Sequence, residues 1–489
     1  MKYVIWSIFG VLVVATVGNW LSQPDVRSDK PVLYWLTDPN PARVQQIKTF
    51  HEWLKKDPSR PDFELRVDTA NFDASKMLVQ GVSGVASDII GHCGMGRMYL
   101  FEEIGLLTDV TEWGKELEFD PSYTYPSVYS EITVDGRQYS FPCNVFAHMF
   151  WINKATFARY GMETPPGRWT FEEFERIGKE FVKRANEGRD RRNVFFANTT
   201  QTAMWRRSVG LDIYNETLTR CILDDPRNVE ILDMAWRWTY QDHLIPSRSE
   251  RDAFATASGY GGSTLQLFNS GNYAMFQMGR YALIQLREFG KLELAVSEPP
   301  HGGFPNTETG TRAAAIYVAG KHRELAKYFL SFLASEDYNM NIVLDADALP
   351  PNPKYTETEE YKHPKDYPNE WGCHEAFSEA AIEIGIPYSN SPFVLRDSAG
   401  RIIWQTEDGV MTADRVLKPD DAAKMMAERI NERIDRRVNE NPALKPLYDK
   451  RVALQKRIDD LRAKGERVPL DWISNPFYRK YYVFKGWVK

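Results

Sequence analysis

The residues that could carry out chemistry do not form a catalytic motif. The chain contains no glycine-rich phosphate loop ending in Lys-Ser/Thr, no HExxH and no GxSxG. The run Gly91-x-x-Gly94-x-Gly96 has the wrong spacing for a dinucleotide-binding turn. Asp345 and Asp347 resemble the start of a calcium loop, but the glycine and the distal glutamate are missing. The sequence gives no positive indication of an enzyme, and we expect no cofactor.

Carboxylates, histidines and cysteines leave some alternatives open. Two carboxylates could work as in a glycosidase, but sequence alone does not place a pair at the separation that this chemistry needs. The eight histidines are scattered, and we expect core or surface residues rather than metal ligands. Cys93, Cys143, Cys221 and Cys373 have no metal-binding spacing. They could form disulfides after export or remain buried thiols.

The composition is that of a folded protein with more than one domain. The chain has 489 residues, of which 43% are hydrophobic and 13% aromatic, so it can bury a large core. The net charge of −6 does not favour a nucleic-acid partner. The 14 Trp and 24 Tyr residues could fill the core or supply the flat faces that sugar sites use.

The N-terminus has the pattern of a targeting segment. Lys2 precedes an apolar run from Tyr3 to Leu21, which is about the length that spans a bilayer. The polar residues that follow favour a signal peptide or an uncleaved anchor in residues 1–30, although a buried helix is the alternative. No other stretch is long and apolar enough to cross a membrane. We therefore expect the folded body on the periplasmic or extracellular side.

Short apolar runs alternate with amphipathic segments in the first part of the chain. Residues 31–36 and 63–67 have strand-type patterns, and residues 84–90 run into a third strand. Residues 42–55 and 74–82 have the apolar spacing of helices. This alternation predicts a parallel sheet with helices on both faces.

The most specific pattern lies in residues 136–170. Residues 145–152 form a short aromatic run, interrupted only by a histidine, which predicts a buried strand. Asn153 is placed to cap a short helix. Thr170 and Glu173 have the spacing of a capping box, which predicts an amphipathic helix from residue 171 to 185.

This stretch carries a resemblance to a known family. DGRQYSFPCN followed by FWINKATFARYGMETPPGRWTFEEF resembles the first interlobe crossover of extracellular solute-binding proteins, in the sugar-binding branch that includes maltose-binding protein. The segments YWLTDPN, FNSGNYAMFQM and HRELAKYFLSFLAS are similar to further parts of that family. The resemblance covers about Pro31 to Met426.

The resemblance implies an α/β, two-lobed periplasmic binding protein fold of type II. Each lobe is expected to hold a mostly parallel sheet flanked by helices, with a hinge between the lobes. The predicted units are residues 31–143 with 312–350 for lobe 1, residues 144–311 with 370–435 for lobe 2, and residues 436–489 as a C-terminal extension. The return between the lobes is expected near residues 300–312, where residues 302–311 have the composition of a polar loop.

The resemblance also implies a function. Such a protein binds a carbohydrate, a mono- or oligosaccharide, in the interlobe cleft and delivers it to the membrane permease subunits of an ATP-binding cassette importer. We expect a monomer that leaves its ligand chemically unchanged. The alternatives are a secreted carbohydrate-active enzyme on another fold and a membrane-anchored sugar sensor.

Candidate ligand residues follow from where loops leave the carboxyl ends of strands in open α/β sheets. Sugar recognition needs flat aromatic faces and planar polar side chains at those positions. The candidates are Trp35, Asp38, His92, Cys93, Met95, Asn144, Trp205, Arg206, Arg280, Tyr281 and Arg312. Trp35 and Trp205 could instead be core residues, and Arg280 could be part of a structural salt bridge. Together, Arg206, Arg280 and Arg312 would suit a carboxylate, such as that of a uronic acid sugar.

The end of the chain is expected to be helical. Residues 412–438 have helical spacing, and Leu447, Leu454, Ile458 and Leu461 form a short heptad-like stripe. An aromatic tail follows. We expect this tail to pack back on a lobe, with docking to a partner as the alternative.

Overall fold

The computed structural model describes residues 29–71, 73–91, 94, 96–254 and 262–489. Residues 1–28, which form nearly all of the predicted targeting segment, lie outside the described residues. His92, Cys93 and Met95 also lie outside them. Within the described part of the chain, no helix has the length and apolar character needed to span a membrane.

Helices and strands alternate along the chain. The strands are β1 (Val32–Leu36), β2 (Glu64–Asp68), β3 (Ile89–Ile90), β4 (Thr133–Val134), β5 (Arg137–Gln138), β6 (Phe141–Ala147), β7 (Met149–Asn153), β8 (Met275–Met278), β9 (Leu294–Ser297), β10 (Thr307–Ile316) and β11 (Gly385–Pro387). The helices are α1 (Ala42–Lys55), α2 (Ala74–Val82), α3 (Met98–Glu103), α4 (Thr111–Glu116), α5 (Lys154–Arg159), α6 (Phe171–Ala185), α7 (Thr202–Ser208), α8 (Pro226–Tyr240), α9 (Arg248–Phe254), α10 (Gly262–Ser270), α11 (Leu283–Leu286), α12 (Arg323–Ala334), α13 (Glu336–Asp345), α14 (Glu359–Lys362), α15 (His374–Glu383), α16 (Arg396–Val410), α17 (Pro419–Glu440), α18 (Lys445–Ala463) and α19 (Pro476–Lys485).

The sheet of lobe 1 has the strand order β11-β10-β3-β1-β2, and β6 also pairs with β10. Strand β1 is parallel to β2 and to β3, as the alternating pattern predicted. Strand β10 is antiparallel to both β3 and β6 and parallel to β11. Helices α1 and α12 cover one face, where Trp35, Phe50 and Phe329 meet in the core.

The sheet of lobe 2 differs in strand direction from the expected mostly parallel arrangement. Its order is β8-β7-β9, and both pairings are antiparallel. Strand β7 arrives directly from lobe 1 through β6, so it enters the sheet in the opposite direction to β8 and β9. The aromatic core beside this sheet includes Phe174, which stacks on Trp238 with ring centroids 4.7 Å apart. The capping box between Thr170 and Glu173 begins α6 at the predicted residue.

Strand β10 begins at Thr307 and so replaces the second half of the loop that was expected at residues 302–311. Thr307, Thr309 and Thr311 are all buried, and the strand pairs with β6 across the hinge. The Thr311 hydroxyl donates to the Asn144 carbonyl over 2.7 Å. β-branched threonines favour an extended chain, and the hydroxyls of Thr307 and Thr311 bond to backbone carbonyls, so the polar composition suits a buried strand.

The C-terminal segment packs back on the body of the protein, as expected. Phe304 precedes β10, and Ile386 lies in β11. Both residues share an apolar cluster with aromatic residues of α19. Asn475 donates to Asp212 over 2.9 Å and so ties the start of α19 to lobe 2. The helix expected at 412–438 begins instead at Pro419, because residues 411–418 form a turn with Arg415 at a φ of +49°. Helix α16, which precedes that turn, was not predicted.

Candidate ligand-binding cleft

Four candidate residues meet at the carboxyl end of β1. Asp38 accepts hydrogen bonds from Arg312 over 3.0 Å and from Arg43 over 3.0 Å. Asn144, in strand β6, donates to the backbone carbonyl of Asp347 over 3.1 Å. The buried carboxylate of Asp347 also pairs with Arg43 at 2.6 Å, and Arg312 lies 3.5 Å away. We call these residues, with Trp35, the β1-end cluster.

Trp35 forms the floor of the β1-end cluster rather than an exposed stacking face. It is 1% exposed and packs on Phe329 with ring centroids 4.9 Å apart. The guanidinium groups of Arg43 and Arg312 lie 5.8 and 5.7 Å from its ring. Burial acts to lower the pKa of Arg43, but Asp347 and Asp38 outweigh it and hold the pKa above its usual value.

Among the described residues, three buried donors of the β1-end cluster have no hydrogen-bond partner. They are Nε1 of Trp35, Nη2 of Arg43 and Nε of Arg312. Unpaired buried donors are costly, and most are satisfied by water or a ligand. Two arginines and two aspartates leave the cluster without a net charge, so it can accept hydroxyl or carbonyl oxygens as readily as an anion.

The guanidinium group of Arg280 is buried and donates hydrogen bonds to groups within the fold. It is 1% exposed, and it donates to the carbonyls of Val343 over 2.9 Å and Ala348 over 3.0 Å. It also donates to Nδ1 of His374 over 3.0 Å. Val343 lies in the last turn of α13, whose carbonyls have no partners inside the helix. Burial lowers the pKa of Arg280 to about 10, so the side chain stays charged at neutral pH.

Trp205 and Arg206 lie together on α7 in lobe 2. Trp205 is fully buried, and its ring centroid lies 5.0 Å from that of Trp238. Arg206 is 2% exposed and forms an ion pair with Glu407 of α16. Arg206 also lines a cavity of about 240 Å³ between α7 and α16. Each of the three arginines proposed for a carboxylate therefore already has a partner within the protein.

Tyr281 belongs to a polar group at the hinge. Its hydroxyl lies 3.3 Å from Nε2 of His148, and Nδ1 of His148 lies 3.5 Å from the Glu308 carboxylate. Tyr388 hydrogen-bonds to the same carboxylate. We call His148, Tyr281, Glu308 and Tyr388 the hinge group. His148 follows β6, Glu308 is in β10 and Tyr388 follows β11, so each marks a different connection between the lobes.

Glu308 is the acidic centre of the hinge group. Its side chain is 15% exposed, and burial acts to raise its pKa. Hydrogen bonds from His148 and Tyr388 outweigh that effect, so the pKa of Glu308 lies below its usual value. Burial and the neighbouring Glu308 raise the pKa of Tyr388 well above its usual value, so its hydroxyl stays protonated and can donate.

A cavity of about 590 Å³ lies between the two lobes beside the hinge group. Lobe 1 lines it with residues of α2 and α3 and the loop between β3 and α3, including Arg97 and Tyr99. Lobe 2 lines it with Asn390 and with helices α16 and α17. At Gly96 the lobes touch, since a Cβ atom there would lie 2.0 Å from Oδ1 of Asn390. Its φ of +81° also requires glycine.

Several residues of this cleft were missed by sequence reasoning. Arg396 lines both cavities, and its guanidinium lies 4.0 Å from the centroid of the Tyr388 ring. Trp404 lies on the wall of the smaller cavity and is 60% exposed. Arg396, Gly400 and Trp404 are spaced four residues apart on α16, so they share one face of the helix. That spacing is visible in the sequence and could have been used.

In the described part of the chain, the cysteines and the possible metal ligands form no further candidate site. Cys143, Cys221 and Cys373 are buried thiols, and burial raises the pKa of Cys221 and of Cys373 to about 12. The remaining candidates, His92, Cys93 and Met95, lie outside the described residues. Among the residues that the structure describes, no group of three His, Cys, Asp or Glu side chains is arranged to hold a metal ion.

Two α/β lobes joined by three connections, with a cavity between them, define a two-lobed binding protein. The chain belongs to the bacterial extracellular solute-binding protein family, whose model matches residues 60–340, more than half of the sequence. That family consists of binding proteins that act outside the cytoplasm. Comparison with curated proteins finds no significant match.

Solved structures of similar fold agree with this assignment. An ABC substrate-binding protein from Listeria monocytogenes in complex with cycloalternan is 20% identical, with a TM-score of 0.67 over 83% of this chain and 99% of the other. Maltose-bound MalE3 of T. maritima is 16% identical, with a TM-score of 0.66 over 82% and 99%. UgpB from Mycobacterium tuberculosis in complex with glycerophosphocholine is 15% identical, with a TM-score of 0.66 over 84% and 100%. These likenesses establish the two-lobed fold.

Proposed function

We propose that this protein binds a carbohydrate between its lobes and delivers it to the permease of an ATP-binding cassette importer. The observation that carries the proposal is the 590 Å³ cavity lined by both lobes, because a ligand there contacts both at once and favours closure. Its volume falls in the range of about 300–1,000 Å³ that is typical of small-molecule sites. Several structures of similar fold contain bound sugars.

The cleft offers the two kinds of contact that sugar recognition needs. Tyr99 lines the 590 Å³ cavity, and Trp404 presents an exposed aromatic face in the smaller cavity of about 240 Å³, which shares Arg396 with it. Asn390 supplies an amide in the larger cavity, and Glu308 and Tyr388 of the hinge group supply a carboxylate and a hydroxyl in the smaller one. In the β1-end cluster, the unpaired donors of Trp35, Arg43 and Arg312 are available to ligand oxygens that reach the carboxyl end of β1.

The remaining parts of the proposal follow from family membership. We infer that the chain acts as a monomer, that it does not alter its ligand, and that the ATPase of the importer is a separate polypeptide. Residues 1–30 serve as the signal or anchor that places it outside the cytoplasmic membrane. Incubation with oligosaccharides, followed by chromatography, tests the second point: new reducing ends would indicate an enzyme.

The binding test is a thermal-shift screen followed by calorimetry on the full chain. The panel contains mono- and oligosaccharides, together with glycerophosphocholine because a structurally similar protein binds it. A ligand that binds only the folded state raises the melting temperature. At a concentration of 100 times its Kd, it adds about 2.7 kcal/mol to the free energy of unfolding. If no carbohydrate in the panel shifts the melting temperature, the proposed ligand class is wrong.

A matched pair of variants tests the location of the site. We expect Trp404→Ala to weaken sugar binding about 10-fold, since loss of a buried aromatic contact costs on the order of 1–2 kcal/mol. Trp371→Ala is the control: Trp371 is 50% exposed, against 60% for Trp404, but it lines a different groove, of about 1,120 Å³, beside α14. If Trp371→Ala weakens binding and Trp404→Ala does not, the ligand binds in that groove instead.

A further inference from the structure

The wall of the 590 Å³ cavity is unusually rich in arginine. The arginines that line it are Arg97, Arg396, Arg401, Arg429, Arg433 and Arg437. The carboxylates in the same wall are Glu103, Asp397 and Glu432. Six guanidinium groups against three carboxylates leave an excess of three positive charges, whereas the whole chain carries a net charge of −6. The positive charge is therefore concentrated in the cleft.

The arrangement of these arginines follows from two helices of lobe 2. Arg429, Arg433 and Arg437 are spaced four residues apart on α17, so they form one row facing the cavity. Like charges at this spacing repel and weaken an isolated helix. Arg437 is neutralised in part by Glu103 of lobe 1, to which it is bonded. Arg429 and Arg433 are both exposed, so their guanidinium groups can reach into the cavity.

A ligand with an oxyanionic group would relieve this repulsion. Guanidinium groups bind carboxylate and phosphate oxygens in a planar, bidentate manner that a neutral hydroxyl does not reproduce. The site is a concave cavity of a few hundred Å³ with walls from both lobes, which suits a small molecule better than a flat membrane surface. An anion held there would contact arginines of both lobes, since Arg97 belongs to lobe 1.

We propose that this cavity selects a sugar-sized solute that carries a carboxylate or a phosphate group, with the arginine row of α17 as its anion-binding wall. The inference rests on the proposed function, because it assigns a charge class to the ligand of the same cleft. It differs from the sequence-based expectation, which assigned the carboxylate to Arg206, Arg280 and Arg312. Those three side chains have partners within the fold.

Calorimetry with three matched probes tests the proposal. Glucose, glucuronate and glucose 6-phosphate share one ring, and trimers of glucose and of galacturonate extend the comparison to longer ligands. We expect at least one anionic probe to bind 10-fold or more tightly than its neutral counterpart. We also expect that preference to shrink as salt rises from about 50 to about 500 mM, because salt screens charges that are reached by solvent. A preference for glucuronate or for the phosphate identifies which oxyanion is recognised.

A pair of variants on one helix assigns the preference to the cavity. Arg433→Gln is expected to lower the ratio of anionic to neutral affinity 5-fold or more. Arg436→Gln, an exposed neighbour on α17 outside the cavity, is expected to leave that ratio unchanged. Equal affinity for neutral and anionic probes, or equal effects of both substitutions, would overturn the inference while leaving sugar binding intact. If neither neutral nor anionic sugars bind, the proposed function itself fails.

Discussion

The role of Arg280 can be decided by one substitution, Arg280→Met. Methionine fills a similar volume without a charge or a donor. In the native protein the guanidinium bonds to the carbonyls of Val343 and Ala348 and to His374, and it lies 4.7 Å from the centroid of the Tyr361 ring. These contacts hold the end of α13 against the residues that follow β8. We therefore expect Arg280→Met to destabilise the fold rather than to change ligand contacts.

The expected loss can be estimated from the groups left without a partner. Removing the donor takes a hydrogen bond from three backbone carbonyls, those of Ile342, Val343 and Ala348, and from one imidazole nitrogen, at a cost of about 1–3 kcal/mol for each group left unpaired. Such costs are not additive, and removal of one member of a buried polar pair typically costs about 3–5 kcal/mol in total. With an unfolding entropy of about 2.1 cal/mol/K per residue, a chain of this length would melt about 3–5 °C lower.

Urea unfolding followed by tryptophan fluorescence measures the change, with calorimetric sugar binding on the same samples. Arg159→Met is the matched control, because that arginine is exposed and donates to the Ser270 carbonyl at 3.5 Å, at the limit of a hydrogen bond. We expect it to change stability by less than about 0.5 kcal/mol. If Arg280→Met unfolds at the wild-type urea concentration but loses sugar binding 10-fold, Arg280 acts on the ligand and our structural account is refuted.

Two further perturbations have clear signs. Burial raises the pKa of Asp345 to about 6, so the folded state disfavours the charged form. The resulting loss of folding stability is absent below about pH 4 and complete above about pH 6. Asp345→Asn should therefore stabilise the protein by up to about 3 kcal/mol at pH 8 but not at pH 4. Urea unfolding at both pH values measures the change. Equal effects at the two pH values would contradict a raised pKa for Asp345. Glu103 accepts from Arg437 and Asn441 across the lobes, and Glu103→Gln should weaken that contact by about 0.5–1 kcal/mol. Small-angle X-ray scattering of the unliganded protein should then give a larger radius of gyration, and an unchanged radius would show that the contact does not hold the lobes together.

Local patterns in the sequence predicted much of the fold. Helices α1, α2 and α6 begin and end at the predicted residues, since their apolar spacing is regular and side chains cap the starts of α2 and α6. The first half of strand β10, residues 307–311, was missed because its threonines and its glycine have the composition of a loop. Its extended form depends on pairing with β6, which lies far away in the sequence. Tertiary contacts of this kind override local preference.

The candidate site was predicted only in part, for a similar reason. Trp35, Asp38, Asn144 and Arg312 do meet, but Asn144 and Arg312 lie within β6 and β10 and not in loops at the carboxyl ends of strands, as the sequence reasoning assumed. Their partner Asp347 could not be assigned in advance, since it pairs with Arg43 over a separation of 304 residues. The charge that appeared available on Arg312 is thus largely neutralised within lobe 1. Ligand contact by the individual candidates stays a prediction.

The hinge group shows why the cleft and the lobe connections must be considered together. His148, Glu308 and Tyr388 come from three different connections, and they meet around a single carboxylate. A rotation of one lobe against the other moves these connections relative to one another. It therefore changes the hydrogen bonds from His148 and Tyr388 that hold the pKa of Glu308 below its usual value. Arg396 lies over Tyr388 and also lines the arginine-rich cavity. A ligand that engages Arg396 therefore acts on the side chains that join the lobes, and binding and closure share the same contacts.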